Sequence, residues 1–327
     1  MNSTVFRCTA GLVLAACAGL VPAGGATAQN YPSRPIRLIV PFPPGGGTDI
    51  TARATALKLG ESWGQTVVVD NRPGANGTIG ADIAAKSAPD GYTITMISSS
   101  HAVNAGLYSK LPYDLMRDLT PITQATSQPY VLVINPSVPA KSVKELLAVA
   151  KAKPGTLNYG SSGTGGISHL AGALLGSLTG TSLVHVPYKG GNPAMIDVIS
   201  GQIQMLFGTL LLNGPHIKAG RLRVLAVTTP QRWPGTPELP TMVEAGVPGF
   251  VITQWYGMLA PARTPQAIVT RLNKEIARIL HQPDVQEKLA ADGADAVGNT
   301  PEQFGAHIRS EIAKYSKLVK QIGLKAE

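Results

Sequence analysis

The sequence predicts an α/β fold in which mostly parallel sheets are covered on both faces by helices. Three observations predict it. Short apolar runs alternate with stretches at helical spacing along most of the chain. Two Pro-rich, non-helical stretches, Leu111–Pro129 and Thr229–Phe250, interrupt that alternation and suit crossovers between two domains. One plan also occurs twice: Leu38–Ala54 and Leu157–Ala173 each read as strand, Gly-rich turn, helix. If each heads one domain, two helix N-termini face a common cleft.

Ile36–Pro41 is a short apolar strand and Phe42–Gly47 a turn. Asp49–Trp63 follows with Ile50, Ala54 and Leu57 at helical spacing, and Gly64 ends it. Val67–Val69 is a strand, Asn71–Gly77 a loop, and Ile79, Ile83 and Ala84 mark a second helix. Tyr92–Ile97 is a third strand, running into Ser98-Ser99-Ser100-His101. Further on, Val131–Ile134, Asn158–Gly160, Val184–Val186, Met205–Phe207, Val224–Val227 and Trp255–Leu259 read as strands. Ser142 and Glu145 form a capping box for a helix with Val143, Leu146, Leu147 and Ala150 on its apolar face. Leu170 and Leu174, then Met195, Val198 and Ile199, mark two more helices. Thr264-Pro265 and Thr300-Pro301 each read as an N-cap followed by proline at the first helical position. Their apolar stripes are Ile268, Leu272, Ile276 and Ile279, and Phe304, Ile308, Ile312 and Tyr315.

Met1–Ala28 reads as an export signal. Arg7 is its only charge, a run of small and apolar residues follows from Ala10 to Val21, and Ala26-Thr27-Ala28 has the small-x-small form cleaved before Gln29. The apolar run is too short to span about 30 Å of hydrocarbon. A competing reading takes Leu14-Ala15-Ala16-Cys17 as a lipoprotein box that leaves Cys17 lipidated. Both cysteines, Cys8 and Cys17, fall in this segment, so the exported chain is stabilised by an ordinary core and not by disulfides. The net charge of +9 is dispersed, and the basic stretch Lys314–Lys325 lies at helical spacing without interleaved aromatics. That is a solvated face, not a nucleic-acid platform.

The most specific motif is the turn Phe42-Pro43-Pro44-Gly45-Gly46-Gly47-Thr48-Asp49. Glycines let the chain bend sharply, and the unpaired N–H groups of the following helix, with its dipole, favour an anion. Asp49 alone is better read as a helix cap, while the turn as a whole is read as an anion site. Phosphate is disfavoured: no Lys follows the glycines as a Walker loop requires, and no Gly-x-Gly-x-x-Gly fits. The second turn, Ser161-Ser162-Gly163-Thr164-Gly165-Gly166-Ile167-Ser168, suits an anion by the same argument. It fails as a nucleophile elbow, because Thr164 stands where the last glycine belongs. The six histidines are scattered, so neither a metal site nor a cofactor is expected. His101 and His169 stand apart only because each follows a loop placed at the cleft.

These motifs carry a family resemblance. Tyr31-Pro32-Ser33-Arg34-Pro35-Ile36-Arg37-Leu38-Ile39-Val40-Pro41-Phe42, then Pro44-Gly45-Gly46-Gly47-Thr48-Asp49, is similar to the opening of the Bug family, the extracytoplasmic solute-binding components of tripartite tricarboxylate transporters. Val69-Asp70-Asn71-Arg72-Pro73-Gly74-Ala75, Tyr159-Gly160-Ser161-Ser162-Gly163, His185-Val186-Pro187-Tyr188-Lys189-Gly190-Gly191 and Trp255-Tyr256-Gly257 extend the match to Tyr31–Gly323. The resemblance implies a two-domain periplasmic binding protein, a type II-like Venus flytrap, each domain a mostly parallel sheet flanked by helices. Domain one would combine residues 29–125 with 253–327, and domain two would be 126–252. The implied function is capture of a small carboxylate, a di- or tricarboxylate or an aromatic one, by a monomer for delivery to membrane permease subunits. Ligand contacts are implied at Phe42, Pro44, Gly45, Gly46, Thr48 and Asp49, and at Ser161, Ser162, Gly163, Thr164, Gly166 and Ser168. Loop Ser98–Asn104 would add Ser99, His101 and Asn104, with Tyr188, Lys189, Gly208 and Thr209 completing the wall. Relatives often carry an acidic residue at the position of Gly208, so this chain departs from the pattern where an amino-acid ligand's ammonium would be paired. A periplasmic sensor docking on a signalling receptor is the alternative reading, and an exported hydrolase is a weaker one for lack of a catalytic constellation.

Overall fold

The computed structural model describes residues 31–325 except Asp292. The segment Met1–Ala28 expected to be an export signal, with Cys8 and Cys17, lies outside the described residues. Among the described residues no helix is long and apolar enough to cross a membrane.

The alternation read from the sequence becomes two copies of one unit. In the first, β1 (Ile36–Val40), α1 (Gly47–Trp63), β2 (Val67–Asn71), α2 (Thr78–Ala85) and β3 (Thr93–Ser98) follow in order. Strand β1 lies between β2 and β3 and is parallel to both. In the second, β5 (Leu157–Ser161), α5 (Ile167–Thr179), β6 (Leu183–Pro187), α6 (Gly191–Ser200) and β7 (Met205–Thr209) repeat the plan, with β5 parallel to β6 and β7. At the carboxyl end of β1, and again of β5, the neighbouring strands diverge to opposite sides. That is the switch point at which open α/β sheets leave a crevice.

Two long antiparallel strands join the units. β4 (Leu119–Ile134) pairs with β9 (Thr253–Pro261) from Leu119 to Pro129, then with β7 and with β8 (Arg223–Val227) over Tyr130–Ile134. The whole sheet runs β2-β1-β3-β9-β4-β7-β5-β6. We call the part around β1–β3 and β9 the first lobe and the part around β5–β8 the second. Much of the presumed crossover Leu111–Pro129 is thus strand: prolines 121 and 129 hid it, and the register slips near Pro121, where a missing N–H is tolerated. The other stretch, Thr229–Phe250, is non-helical as expected and carries only an isolated bridge from Thr241 to Val227.

Helix α1 forms where expected but turns a different face inward. Leu57 is 63% exposed, whereas Thr51, Ala52, Thr55, Ala56 and Leu59 are buried. Small side chains let α1 lie close on the sheet, and Thr51 and Thr55 return their hydroxyl protons to carbonyls one turn back. Residues 98–104, expected as a loop, hold the start of α3 (Ser99–Leu107), for which Ser98 is the N-cap and His101 supplies the reciprocal bond of a capping box. At α4 (Val143–Ala152) Ser142 caps Glu145 as expected, but the Glu145 carboxylate accepts from the Lys141 N–H one residue further out. α7 (Leu210–Lys218) follows β7, and the chain closes with α8 (Gln266–Leu280), α9 (Pro283–Ala291), β10 (Asp295–Ala296) and α10 (Pro301–Ile322). α8 starts one residue later than expected, because the Thr264 hydroxyl donates to Pro261 O and leaves Pro265 as the cap. The stripes of α8 and α10 are buried as read, except that Ile312 is half-buried. α10 packs Phe304 edge-on to Trp255 on β9, whose indole N–H donates to Glu311.

Candidate functional site

The two Gly-rich turns have nearly the same backbone. Gly45 and Gly165 both have φ +79°, a left-handed conformation that glycine adopts without strain. Gly46 (φ −83°, ψ 165°) and Gly166 (φ −71°, ψ 163°) follow as the N-caps of α1 and α5. Each turn is braced by the side chain four residues on. Asp49 Oδ2 accepts from Gly45 N at 2.9 Å, and His169 Nδ1 accepts from Gly165 N at 3.1 Å. The N-cap position expected for Asp49 therefore belongs to Gly46, and Asp49 serves its own turn from inside α1. Burial pushes its pKa up, but hydrogen bonds from Arg53, Gly45 and Asn71 outweigh that and hold it below the usual carboxylate value.

Between the turns lies a cavity of about 50 Å³. Its wall takes Gly46, Gly47 and Thr48 from α1, Ser98 and Ser100 from α3, Ser168 from α5, Gly190, Gly191 and Asn192 from α6, and Thr209 and Leu212 from α7. All of these sit at or beside helix starts, so five helix N-termini converge on one space. Among the described residues, no Asp, Glu, Lys, Arg or His lines it. Each N-terminus carries the equivalent of about half a positive charge, so the potential there comes from backbone dipoles.

Of the residues expected to contact ligand, Phe42, Gly46, Thr48, Ser161, Ser162, Ser168, Gly208 and Thr209 line this cavity. A second space of about 260 Å³ shares Phe42 and Ser162 with it, and there Gly163, Thr164, Tyr188 and Lys189 are found. The remaining expected residues reach neither wall. Pro44 and Gly45 are on the outer, exposed side of the first turn, and Asp49 is buried behind it. Gly166 supplies the backbone cap of α5. The Ser99 hydroxyl donates to Gln254, His101 caps α3 and stands edge-on to Phe42, and Asn104 is tied to Asn76.

Three wall residues, Tyr130, Gln254 and Tyr256, were not picked out from the sequence, whereas Phe207 lines the cavity as the resemblance implied for the loop Phe207–Thr209. Tyr256 is the hub. Its buried hydroxyl is set among Gln254, Thr48, Thr209 and Gln128, and its pKa is pushed up to about 12 by burial, so it stays a donor. Gln254 and Tyr256 are two apart on β9 and so share a face; polar residues alternating in a buried strand were the available signal.

The second turn also holds a histidine pair. The rings of His169 and His185 stack with centroids 3.7 Å apart, and His185 Nε2 lies 2.6 Å from Ser161 Oγ. That hydroxyl also donates to Gly163 O and accepts from Gly163 N. Ser162 bonds Ser168. These hydroxyls shape the turn.

With this geometry in view, residues 51–324 match the family described as Tripartite tricarboxylate transporter family receptor. BugT of Bordetella pertussis is 40% identical over 327 residues, covering 99% of both chains. The chain belongs to this receptor family. Solved structures agree. A Rhodopseudomonas palustris protein with adipate is 38% identical, with a TM-score of 0.88 over 90% of this chain and 99% of that one. MatC from the same organism, with bound malate, is 30% identical, with a TM-score of 0.85 over 88% and 100%. The expected two-domain periplasmic-binding fold is therefore the fold of this receptor.

Three buried histidines predict that the receptor loses stability in acid. Burial pulls His101, His169 and His185 each down to about 4, and the neighbouring His169 adds to the shift of His185. In the unfolded chain they titrate near 6.5. The unfolded state thus binds more protons between these values, and stability falls as pH falls through that window. Thermal denaturation should give a full melting temperature above about pH 6.5 and a progressive drop toward pH 4. A flat profile across this range would contradict the assignment.

Proposed function

We propose that the receptor captures a small carboxylate by closing its two lobes on it and delivers it to membrane permease subunits. The observation that carries this reading is the convergence of five helix N-termini on a cavity with no charged side chain among the described residues. Such a wall stabilises one compact negative group and offers no cation or carboxylate for a zwitterion. A volume of about 50 Å³ fits a carboxylate head. The neighbouring 260 Å³, with Tyr188 and Lys189, takes the remainder of the acid. Hydroxyls of Thr48, Ser168 and Thr209 add donors beside the backbone.

Gly208 fits a di- or tricarboxylate or an aromatic acid better than an acidic amino acid. A Cβ there would meet Asn213 Nδ2 at 2.4 Å and Leu206 Cδ1 at 2.7 Å, so the wall has no room for an acidic side chain without repacking. The lobes divide near residues 125 and 252, with β4 and the start of β9 as the crossings. In this reading the protein is a monomer, exported with cleavage after Ala28, and needs no metal or cofactor. It is not an enzyme: Ser161, the serine paired with a histidine, uses its hydroxyl to hold the turn.

A thermal-shift panel of mono-, di- and tricarboxylates, aromatic ones included, tests the reading. A ligand at a hundred times its Kd adds about 2.7 kcal/mol. No shift with any of them would overturn it, and so would a preference for aspartate or glutamate over plain dicarboxylates.

A further inference from the structure

Asn76 lies outside the central cavity, on the wall of the neighbouring 260 Å³ space, and is packed against the second Gly-rich turn from the opposite lobe. It sits just before α2 with φ 50° and ψ 41°, and Ala75 beside it has φ 45°. Two successive non-glycine residues in the left-handed region persist only where the surroundings fix them. Here Asn104 does so: Asn76 Nδ2 donates to Asn104 Oδ1 at 2.9 Å, and Asn104 Nδ2 donates back to Asn76 O at 3.1 Å. The amide orientation is thereby set. Asn76 Oδ1 is left buried with no hydrogen-bond partner.

That oxygen faces the second turn. A Cβ on Gly166 would lie 2.8 Å from it, and one on Gly163 would lie 3.4 Å from Asn76 Cβ. Glycine at both positions is what permits the approach. The positive end of α5 begins at this turn, where a lone acceptor is favourable. Two further bonds cross the cleft to the same segment: Ile167 N–H donates to Ser100 Oγ at 3.2 Å, and Tyr108 OH donates to Thr164 O at 3.1 Å.

We propose that Asn76 is a closing latch, a first-lobe side chain whose amide oxygen seats on the second turn when the cleft shuts and so prolongs the closed state. The proposal rests on the closure reading above. Differential stabilisation of a closed state appears in the dissociation rate, because association passes through the open form.

The test is Asn76→Gly. Glycine keeps the left-handed backbone, but buried Asn104 Oδ1 loses its donor, so the variant should fold with a modestly lower melting temperature and is compared with the parent well below both melting temperatures. Adipate and malate serve as probes. Their dissociation, followed by stopped-flow fluorescence, should speed up roughly tenfold with association changed less than about twofold. Amide exchange at Ile167, measured with and without the acids, should also accelerate. Unchanged Ile167 exchange in the absence of acid would overturn the latch even where dissociation is faster, because Asn76 also lines the space given to the remainder of the acid. If the parent binds neither acid, the ligand reading for those acids fails separately, and Ile167 exchange alone decides the latch.

Discussion

Gly46→Val is expected to abolish carboxylate binding while leaving the receptor folded. The backbone of Gly46 (φ −83°, ψ 165°) is extended, a region that β-branched residues adopt readily. A Cβ built there meets only Pro43 O, at 3.8 Å, an ordinary contact. Folding therefore loses little beyond the poorer capping of valine, about 1 kcal/mol. Binding loses much more. Gly46 lines the cavity at the start of α1, and about 50 Å³ leaves no room for both an isopropyl group and a carboxylate. The expected loss is at least about a hundredfold in Kd, or roughly 2.7 kcal/mol. Calorimetric titration and thermal denaturation of the same preparation separate the two effects. Affinity retained within about twofold would show that the first turn does not hold the ligand.

The frame of the site was legible because its signals are local. A glycine cluster between an apolar strand and a helix can be read wherever it occurs, and both turns, with the repeat relating them, were found this way. Asp49, expected to cap α1, instead lies inside the helix behind the N-cap Gly46 and holds the turn through the Gly45 N–H. What escaped depends on contacts distant in sequence. Tyr256 becomes the hub only because β9 runs beside β4 and brings its hydroxyl to Thr48 and Thr209. His185 joins the site through a ring stack with His169, sixteen residues away across a helix and a strand. α1 misled for another reason: its inward face is threonine and alanine, so hydropathy spacing selected the half-exposed face with Leu57. Close approach, not hydrophobicity, decided that packing, and single-chain periodicity does not encode it.

Gly47, one residue on, should behave in the opposite way. A Cβ at this position would lie 2.3 Å from the Tyr256 hydroxyl oxygen and 3.3 Å from Thr209 Oγ1. Gly47→Ala therefore forces Tyr256 to shift, and Tyr256 has nowhere to go: it is 3% exposed and its hydroxyl is set among Gln254, Thr48, Thr209 and Gln128. Overpacking of this kind costs about 1–3 kcal/mol, and the displaced hydroxyl leaves buried partners unsatisfied. Both stability and affinity should fall, in contrast to Gly46→Val. Tyr256→Phe alone should also destabilise, because Thr48, Thr209 and Gln254 lose a shared partner. Combined, the two changes should be less harmful than their sum, because phenylalanine removes the atom with which the alanine collides. The double-mutant cycle on unfolding free energy is expected to give a favourable coupling of about 1 kcal/mol or more. Strict additivity would mean that Gly47 does not pack against the Tyr256 hydroxyl. It would also leave the first turn without the contact that joins it to β9 and β7, on which the joint action of the two turns depends.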